Sequence, residues 1–297
     1  MANTIDSNLQ NNIISQAALE AFTSILAPLN AFSTSFNDDA GYRGKTITCA
    51  KFANTSSAAD FSGTYSAQDT TYEDVQITLD NHKFVTWHVT DTEVSQSTAV
   101  ELERFGYQKG GDLAKAVFQN ILSIVLAATY TSSTVIAAAD FDADEVADLR
   151  EDAVDAGIYP DQCSLVVQND YFTSLLKDTD LSHSMNYGSA EVIQGGRVPS
   201  LFGIKGIYET TSIPLNGEAL EGFIVHPSAM AVAMRYLQPI SANEYIAARP
   251  ITDPDSGITM GYREFYDTST GTQTAVLEAV YGMSAGVTGN LIRITNS

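Results

Sequence analysis

The chain reads as an α+β protein, and three observations carry that expectation. Residues 90–130 hold a long amphipathic helix, residues 72–89 and 245–295 alternate apolar and polar side chains as strands do, and helices and strands do not alternate one for one along the chain. A doubly wound parallel sheet needs that strict alternation, so the order of elements argues against one. At 297 residues the chain is long enough to bury a large core, as one elaborated domain or two subdomains.

The helix is the most explicit element. At 100° per residue Leu113, Val117, Ile121, Ile124, Val125 and Ala128 share one side, widened by Ala114, Phe118 and Leu122, while Lys115, Gln119 and Ser123 stack opposite. Two capping-box pairs, Thr90 with Glu93 and Thr98 with Glu101, mark its start. An unbroken run over 98–130 would span roughly 50 Å. The adjacent Gly110 and Gly111 each cost about 1 kcal/mol relative to alanine in a helix interior, so they mark a bend and a candidate hinge.

The remaining elements follow in order. Residues 5–27 have loose helical spacing that stops at Pro28, and the Asn and Gln among them suggest an arm that packs on something else. Residues 37–44 form a turn and 45–52 a strand, and the Ser-, Thr- and Ala-rich stretch 53–71 is a loop without a core of its own. Residues 72–89 are expected to fold back on themselves as a two-stranded ribbon turning near Asp80 and Asn81, an arrangement that is marginally stable without a partner surface. A second helix covers 140–157, closed by Gly157 and Pro160, followed by a strand at 164–168 and a helix at 170–177. Paired strands are expected over 195–213, a loop over 214–222, a strand at 223–225 and a helix from Pro227 to Leu237. Strands at 245–250, 258–266, 275–281 and 291–295 complete the chain.

Composition limits the function classes. The 15 Lys and Arg against 36 Asp and Glu leave a formal charge of −21, which repels phosphate backbones and excludes a dedicated nucleic-acid-reading face. Cys49 and Cys163 have no CxxC spacing and read as reduced thiols. No basic-then-apolar signal peptide opens the chain. Residues 116–139 carry no charge, but Gln119, Asn120 and the cluster Thr131, Ser132, Ser133 and Thr134 interrupt them, so no membrane span is expected.

Several motifs imitate chemistry. Residues 282–286 spell G-x-S-x-G around Ser284, yet no Asp, Glu or His follows to complete a triad, and a glycine-flanked turn between strands is the expectation. Gly44, Lys45 and Thr46 resemble the end of a phosphate loop but lead into a strand and lack the first glycine. Asp140, Asp142, Asp144, Asp148 and Glu151 fall at ligand positions of a calcium loop, but its obligatory glycine is Glu145, and acids in a first helical turn are explained by the dipole. His82, His88, His183 and His226 show no metal-ligand spacing, and Asn54 begins a glycosylation triplet that matters only on secretion. No catalytic, cofactor or metal constellation stands out.

Five stretches together resemble the HK97-type major capsid protein of tailed double-stranded DNA phages. They are VTWHVTDTEVSQS (85–97), SLVVQNDYFTSLL (164–176), GGRVPSLFGIKGIYETTSIP (195–214), GFIVHPSAM (222–230) and the ending 281–294. The resemblance implies an N-terminal arm (1–36), a strand and extended E-loop (37–90), the spine helix of a peripheral domain (91–140), a mostly axial domain (141–240) and returning strands (241–297). Arm and E-loop would lie over neighbouring subunits. It further implies a structural protein that self-assembles as hexamers and pentamers into an icosahedral shell around phage DNA, without sequence-specific contact. Its virion would be assembled in the host cytoplasm with a portal and a decoration protein. An arm of ordinary length points to a separate scaffolding protein. Lys51 and Lys83 are the lysines nearest the E-loop, and neither carries a mark of cross-linking chemistry. The alternatives are an encapsulin-type compartment, a tail or decoration protein, and, in a different class, an acidic hydrolase built around Ser284.

Overall fold

The computed structural model describes residues 7–34, 46–53, 60, 61, 63, 71–90, 92, 99–178, 181, 201–241, 245–252 and 258–296. Helix α1 (Ser7–Leu26) ends where Pro28 enters a 3-10 turn, Ala27–Ala31. The segment expected to be an arm without a core is part of the chain's own core from Ala17 onward, with Ala18, Phe22, Leu26 and Leu29 fully buried. Strand β1 (Thr46–Ala53) pairs antiparallel with β2 (Thr71–Thr78), from Thr46 opposite Thr78 to Ala53 opposite Thr71.

Here the expected ribbon is corrected. Strand β3 (Asn81–Thr90) does not pair with β2; it runs antiparallel to β11 (Thr272–Ala285) over its whole length. The apolar alternation Val75, Ile77, Leu79 runs up to the supposed turn, and Ile77 and Leu79 pack with Ile47, Ala231, Ala233 and Val280. Folding β2 back on β3 would pull those side chains off this cluster, whereas pairing β3 with β11 keeps Trp87 buried.

Helix α2 (Ala99–Leu122) is the spine, 24 residues or roughly 36 Å long. It stops eight residues before the expected end at 130, and both capping-box pairs involve positions outside the described residues. Its expected apolar face is buried at Leu113, Val117 and Ile121, and its polar face is exposed at Lys115 and Gln119. Beyond its end Val125 is buried, but Ile124 is half-buried and Ala128, expected on the same face, is exposed because the helix no longer continues there.

Strand β4 (Ser133–Val135), which the sequence did not announce, lies parallel to β12 (Leu291–Thr295). Helix α3 (Ala143–Asp155) is capped by Asp142, whose carboxylate accepts from the Asp144 and Glu145 N–H groups, and it ends before Gly157 at φ 81°. Strand β5 (Ser164–Gln168) and helix α4 (Asn169–Lys177) fall where expected. In place of paired strands around Gly203 and Gly206, β6 (Gly206–Thr210) lies parallel to β5; residues 182–200 are outside the description. Strand β7 (Leu220–Val225) is longer than expected.

The helix expected from Pro227 is also corrected: one 3-10 turn, Pro227–Ala229, gives way to strand β8 (Met230–Arg235). Met230 to Met234 are all buried, and a short apolar run of that kind suits a strand covered on both faces as well as a helix. The returning strands are β9 (Ala247–Thr252), β10 (Thr259–Asp267), β11 and β12.

Two five-stranded sheets result. The first has the order β3-β11-β10-β9, with β8 on the far part of β11, and the second the order β4-β12-β7-β5-β6 with parallel and antiparallel pairs mixed. The second sheet divides two cores. Val166, Phe223, Val225 and Leu291 face the large core with α1, α2 and the first sheet, while Leu165, Val167, Ile224, Ile292 and Ile294 face a smaller one with α3 and α4. Burial on both faces explains why these strands read as continuous apolar runs.

Candidate functional site

Gly110 and Gly111 sit in the uninterrupted interior of α2, where α1 lies against it. A Cβ on Gly110 would stand 2.3 Å from the Ala18 carbonyl oxygen and 2.8 Å from its Cα, so α1 approaches the spine backbone to backbone. A Cβ on Gly111 would meet only Ile25 Cδ1, at 3.4 Å. The structure therefore supplies a reason for a glycine at 110 that does not depend on bending: any side chain there would lift α1 from the spine.

The acidic residues do not assemble a metal cage. Asp140, Asp142, Asp144, Asp148 and Glu151 are exposed along α3 and its entry, and one Asp142 oxygen is engaged in the cap at 3.0 and 3.1 Å. Among the described residues no three His, Cys, Asp or Glu side chains converge on a point where an ion could sit. Burial and the surrounding carboxylates of Asp148, Asp142, Asp140 and Asp144 raise the Glu145 carboxyl above its ordinary range.

Ser284 stands inside β11 opposite Ala231 of β8, in extended backbone and not on an elbow, which corrects the turn expected there. Gly282 is needed because a Cβ would meet the Thr78 carbonyl oxygen at 2.3 Å. Thr46 opens β1, while Gly44, Lys45, Asn54 and His183 lie outside the described residues. Lys83 is exposed on β3, and for Lys51 and Cys49 only the backbone is described. Cys163 is buried, which together with Asp161 pushes its thiol up to about 11.

The histidines take structural partners. His82 Nε2 lies 3.1 Å from Glu278, whose carboxylate also meets Arg263 at 2.7 Å, and His88 Nδ1 lies 2.9 Å from Thr274 Oγ1. His226 ties three segments together. Its Nδ1 accepts from the Ser228 N–H at 3.2 Å and faces Ser228 Oγ at 2.8 Å, and its Nε2 donates to Gln162 Oε1 at 2.8 Å. Asn290 Nδ2 donates to the same Ser228 oxygen at 2.6 Å.

Burial lowers the His226 pKa below its ordinary 6.5, so below that pH the unfolded chain holds more protons at this site than the folded one. Stability contributed by neutral His226 is thus complete above about pH 6.5 and is lost as pH falls from there toward the lowered folded value. Melting curves between pH 7.5 and 5 should show a smaller acid-side loss for His226→Gln than for the parent chain; equal losses would contradict this assignment.

A polar latch, unforeseen from sequence, ends the spine helix. Asn216, held at φ 52°, donates through Nδ2 to the carbonyls of Leu122 and Val125 at 3.0 and 2.8 Å. Glu218 accepts from the Ala127 N–H at 2.8 Å and pairs with Arg293 Nη1 at 2.7 Å, while Arg293 Nε donates to the Tyr130 carbonyl at 2.8 Å. Tyr130 itself is buried, donates to the Ala229 carbonyl at 2.9 Å and has its hydroxyl pKa raised by burial. The only local hint was Asn216-Gly217 in a loop, a turn signal that says nothing of its partners.

Core, sheets and latch together fix the backbone layout that can be compared with known folds. Solved structures with the same fold include one from Mycobacterium phage Che8, 16% identical over 90% of each chain at a TM-score of 0.60. The capsid of cyanophage P-SCSP1u is 11% identical over 85% of this chain and 83% of that one, at 0.55. A virus-like particle from Pyrococcus furiosus is 12% identical over 95% and 98%, at 0.53. No family model and no curated protein matches the sequence. The chain has the HK97-like α+β capsid fold.

Proposed function

We propose that this protein is a major capsid subunit that self-assembles as hexamers and pentamers into an icosahedral shell around phage double-stranded DNA. The observation that carries this reading is the likeness of fold over 85–90% of the chain to phage structures, one of them a capsid. In this reading residues 1–36 are the arm, 37–90 the E-loop segment, 91–140 the spine of the peripheral domain, 141–240 mostly the axial domain and 241–297 the returning strands. The division of the apolar interior into two cores supports a two-domain body. The antiparallel β1–β2 pair, anchored at Ile47 and Ile77, is the described base of the segment assigned to the E-loop in this reading.

The chain acts as scaffolded, non-enzymatic building material. A separate scaffolding protein, a portal and a decoration protein are its partners, with assembly in the host cytoplasm and a final place in the virion. Gly110 and Gly111 are kept as a proposed hinge, distinct from the packing role of Gly110. A formal charge of −21 suits an inner wall that holds DNA without binding its sequence.

Expression with its scaffolding partner should yield closed particles tens of nanometres across in negative stain and in sucrose gradients; a stable monomer under all conditions would overturn the reading. The second reading, an encapsulin-type compartment that encloses protein cargo, has less support than the phage shell. Particles with a protein interior and no nucleic-acid absorbance would select it.

A further inference from the structure

Asn216 and Gly217 are the one Asn-Gly pair in the chain. They occupy the two central positions of a tight turn, at φ 52° and 72°, with the Glu218 N–H donating to the Leu215 carbonyl at 2.9 Å. Two successive positive φ values mark a type I′ turn, for which Asn-Gly is the favoured pair. The latch depends on one amide of this turn. Both partners of the Asn216 side chain, the Leu122 and Val125 carbonyls at 3.0 and 2.8 Å, are acceptors, so only an NH2 group can face them.

The same pair is chemically labile. In an Asn-Gly sequence the following backbone nitrogen can attack the side-chain amide carbon, because glycine puts no Cβ in its way. The new C–N bond closes a cyclic succinimide, and the amide nitrogen leaves as ammonia with the proton from the Gly217 N–H. Water then opens the ring at one carbonyl to give aspartate or at the other to give isoaspartate, and no further co-reactant is needed. Gly217 is exposed and Asn216 half-buried, so water reaches the turn. Ring closure needs the amide free to rotate against its own backbone, and two hydrogen bonds to another segment oppose that rotation.

We propose that Asn216 is a spontaneous deamidation site gated by the latch: bound to the end of the spine helix the amide is protected, and once released it converts to aspartate or isoaspartate, which prevents reclosure. Neither product can restore the contact. A carboxylate has no hydrogen to give and sets its charge against two carbonyl oxygens, and isoaspartate also adds a carbon to the backbone of the turn. The latch therefore opens reversibly only until this step, after which the end of the spine stays released. None of this depends on the shell reading above.

Peptide mapping by mass spectrometry of the full chain, kept in mildly alkaline buffer, tests it. In the folded chain conversion at position 216 should be at least about tenfold slower than in the same chain unfolded in urea. Arg293→Met lies far from the turn in sequence and removes the ion-pair partner of Glu218, so it should speed conversion in the folded state by about threefold or more. Asn216→Asp should lower the melting temperature by several degrees, and the converted fraction of aged parent chain should melt early in the same way. Equal rates in the folded chain and in urea would overturn the proposal, whether or not Arg293→Met folds. So would an absence of conversion in either state, a folded Arg293→Met chain that converts no faster than the parent, or an Asn216→Asp chain that melts like the parent.

Discussion

Replacing Gly110 by alanine is expected to destabilise the fold by about 2 kcal/mol net, while the same change at the adjacent Gly111 is expected to be neutral or to stabilise by up to about 1 kcal/mol. The two glycines have the same intrinsic cost in a helix, so propensity alone predicts equal gains from both substitutions. Contact geometry separates them. At 110 the new methyl would overlap the Ala18 carbonyl at 2.3 Å, and backbone cannot rotate away as a side chain can. The helices must move apart, loosening Ala18, Phe22 and Leu26 against Leu113, Ala114 and Val117. Overpacking of this kind costs roughly 3 kcal/mol, from which the propensity gain is subtracted. At 111 the neighbour is the end of a flexible isoleucine at ordinary van der Waals distance, and only the gain remains. Chemical denaturation of the two single variants checks this. If both prove equally stabilising, the backbone-to-backbone crossing is wrong; if both fold normally yet both impair particle expansion, the hinge is favoured.

Removing Glu218 is expected to be the other costly change. Glu218→Ala should destabilise by about 2–3 kcal/mol, because the Arg293 guanidinium, with its side chain 6% exposed, is left buried without its carboxylate. Glu218 itself is 28% exposed, so the pair is partly screened and the upper end of the range for buried ion pairs does not apply. The loss has a second component, since the Ala127 N–H gives up its acceptor just beyond the spine helix. A double-mutant cycle with Arg293→Met separates the two. A coupling of at least about 1 kcal/mol is expected between positions 218 and 293, and additive effects would show that the pair contributes nothing beyond its separate contacts.

The comparison of sequence with structure turns on where the decisive partner lies. Strand β12 was legible to the residue because apolar side chains, bounded by turn residues, need only local pattern to identify it. The buried face of α2 was legible for the same reason: Leu113, Val117 and Ile121 repeat at the helical period whatever they pack against. The run from Met230 to Met234 was not, because a fully buried apolar pentapeptide has no polar face to reveal its period. The β2–β3 connection misled because two alternating stretches joined by Asp80 and Asn81 look like a hairpin, while their true partners β1 and β11 are set by tertiary pairing. Of the candidate site residues, the glycine pair was visible as an anomaly in the helix, but its contact with Ala18 was not, since α1 gave no sign of what it would pack on.

By itself, the sequence determined the class of fold, the amphipathic spine and the core of its apolar face, the presence of a helix beginning near Asp140, and the acidic balance of the chain. These depend on periodicity, caps and net charge, which are local or additive. Only the tertiary structure decided that α2 stops at Leu122, because the side chains that take over its carbonyls and the following N–H come from Asn216 and Glu218, some ninety residues away. It alone decided that β3 pairs with β11, because the two strands lie about two hundred residues apart in the chain (Asn81 opposite Tyr281). Long-range contacts of this kind leave no period in the chain, and they set both the reach of the spine and the partner of β3.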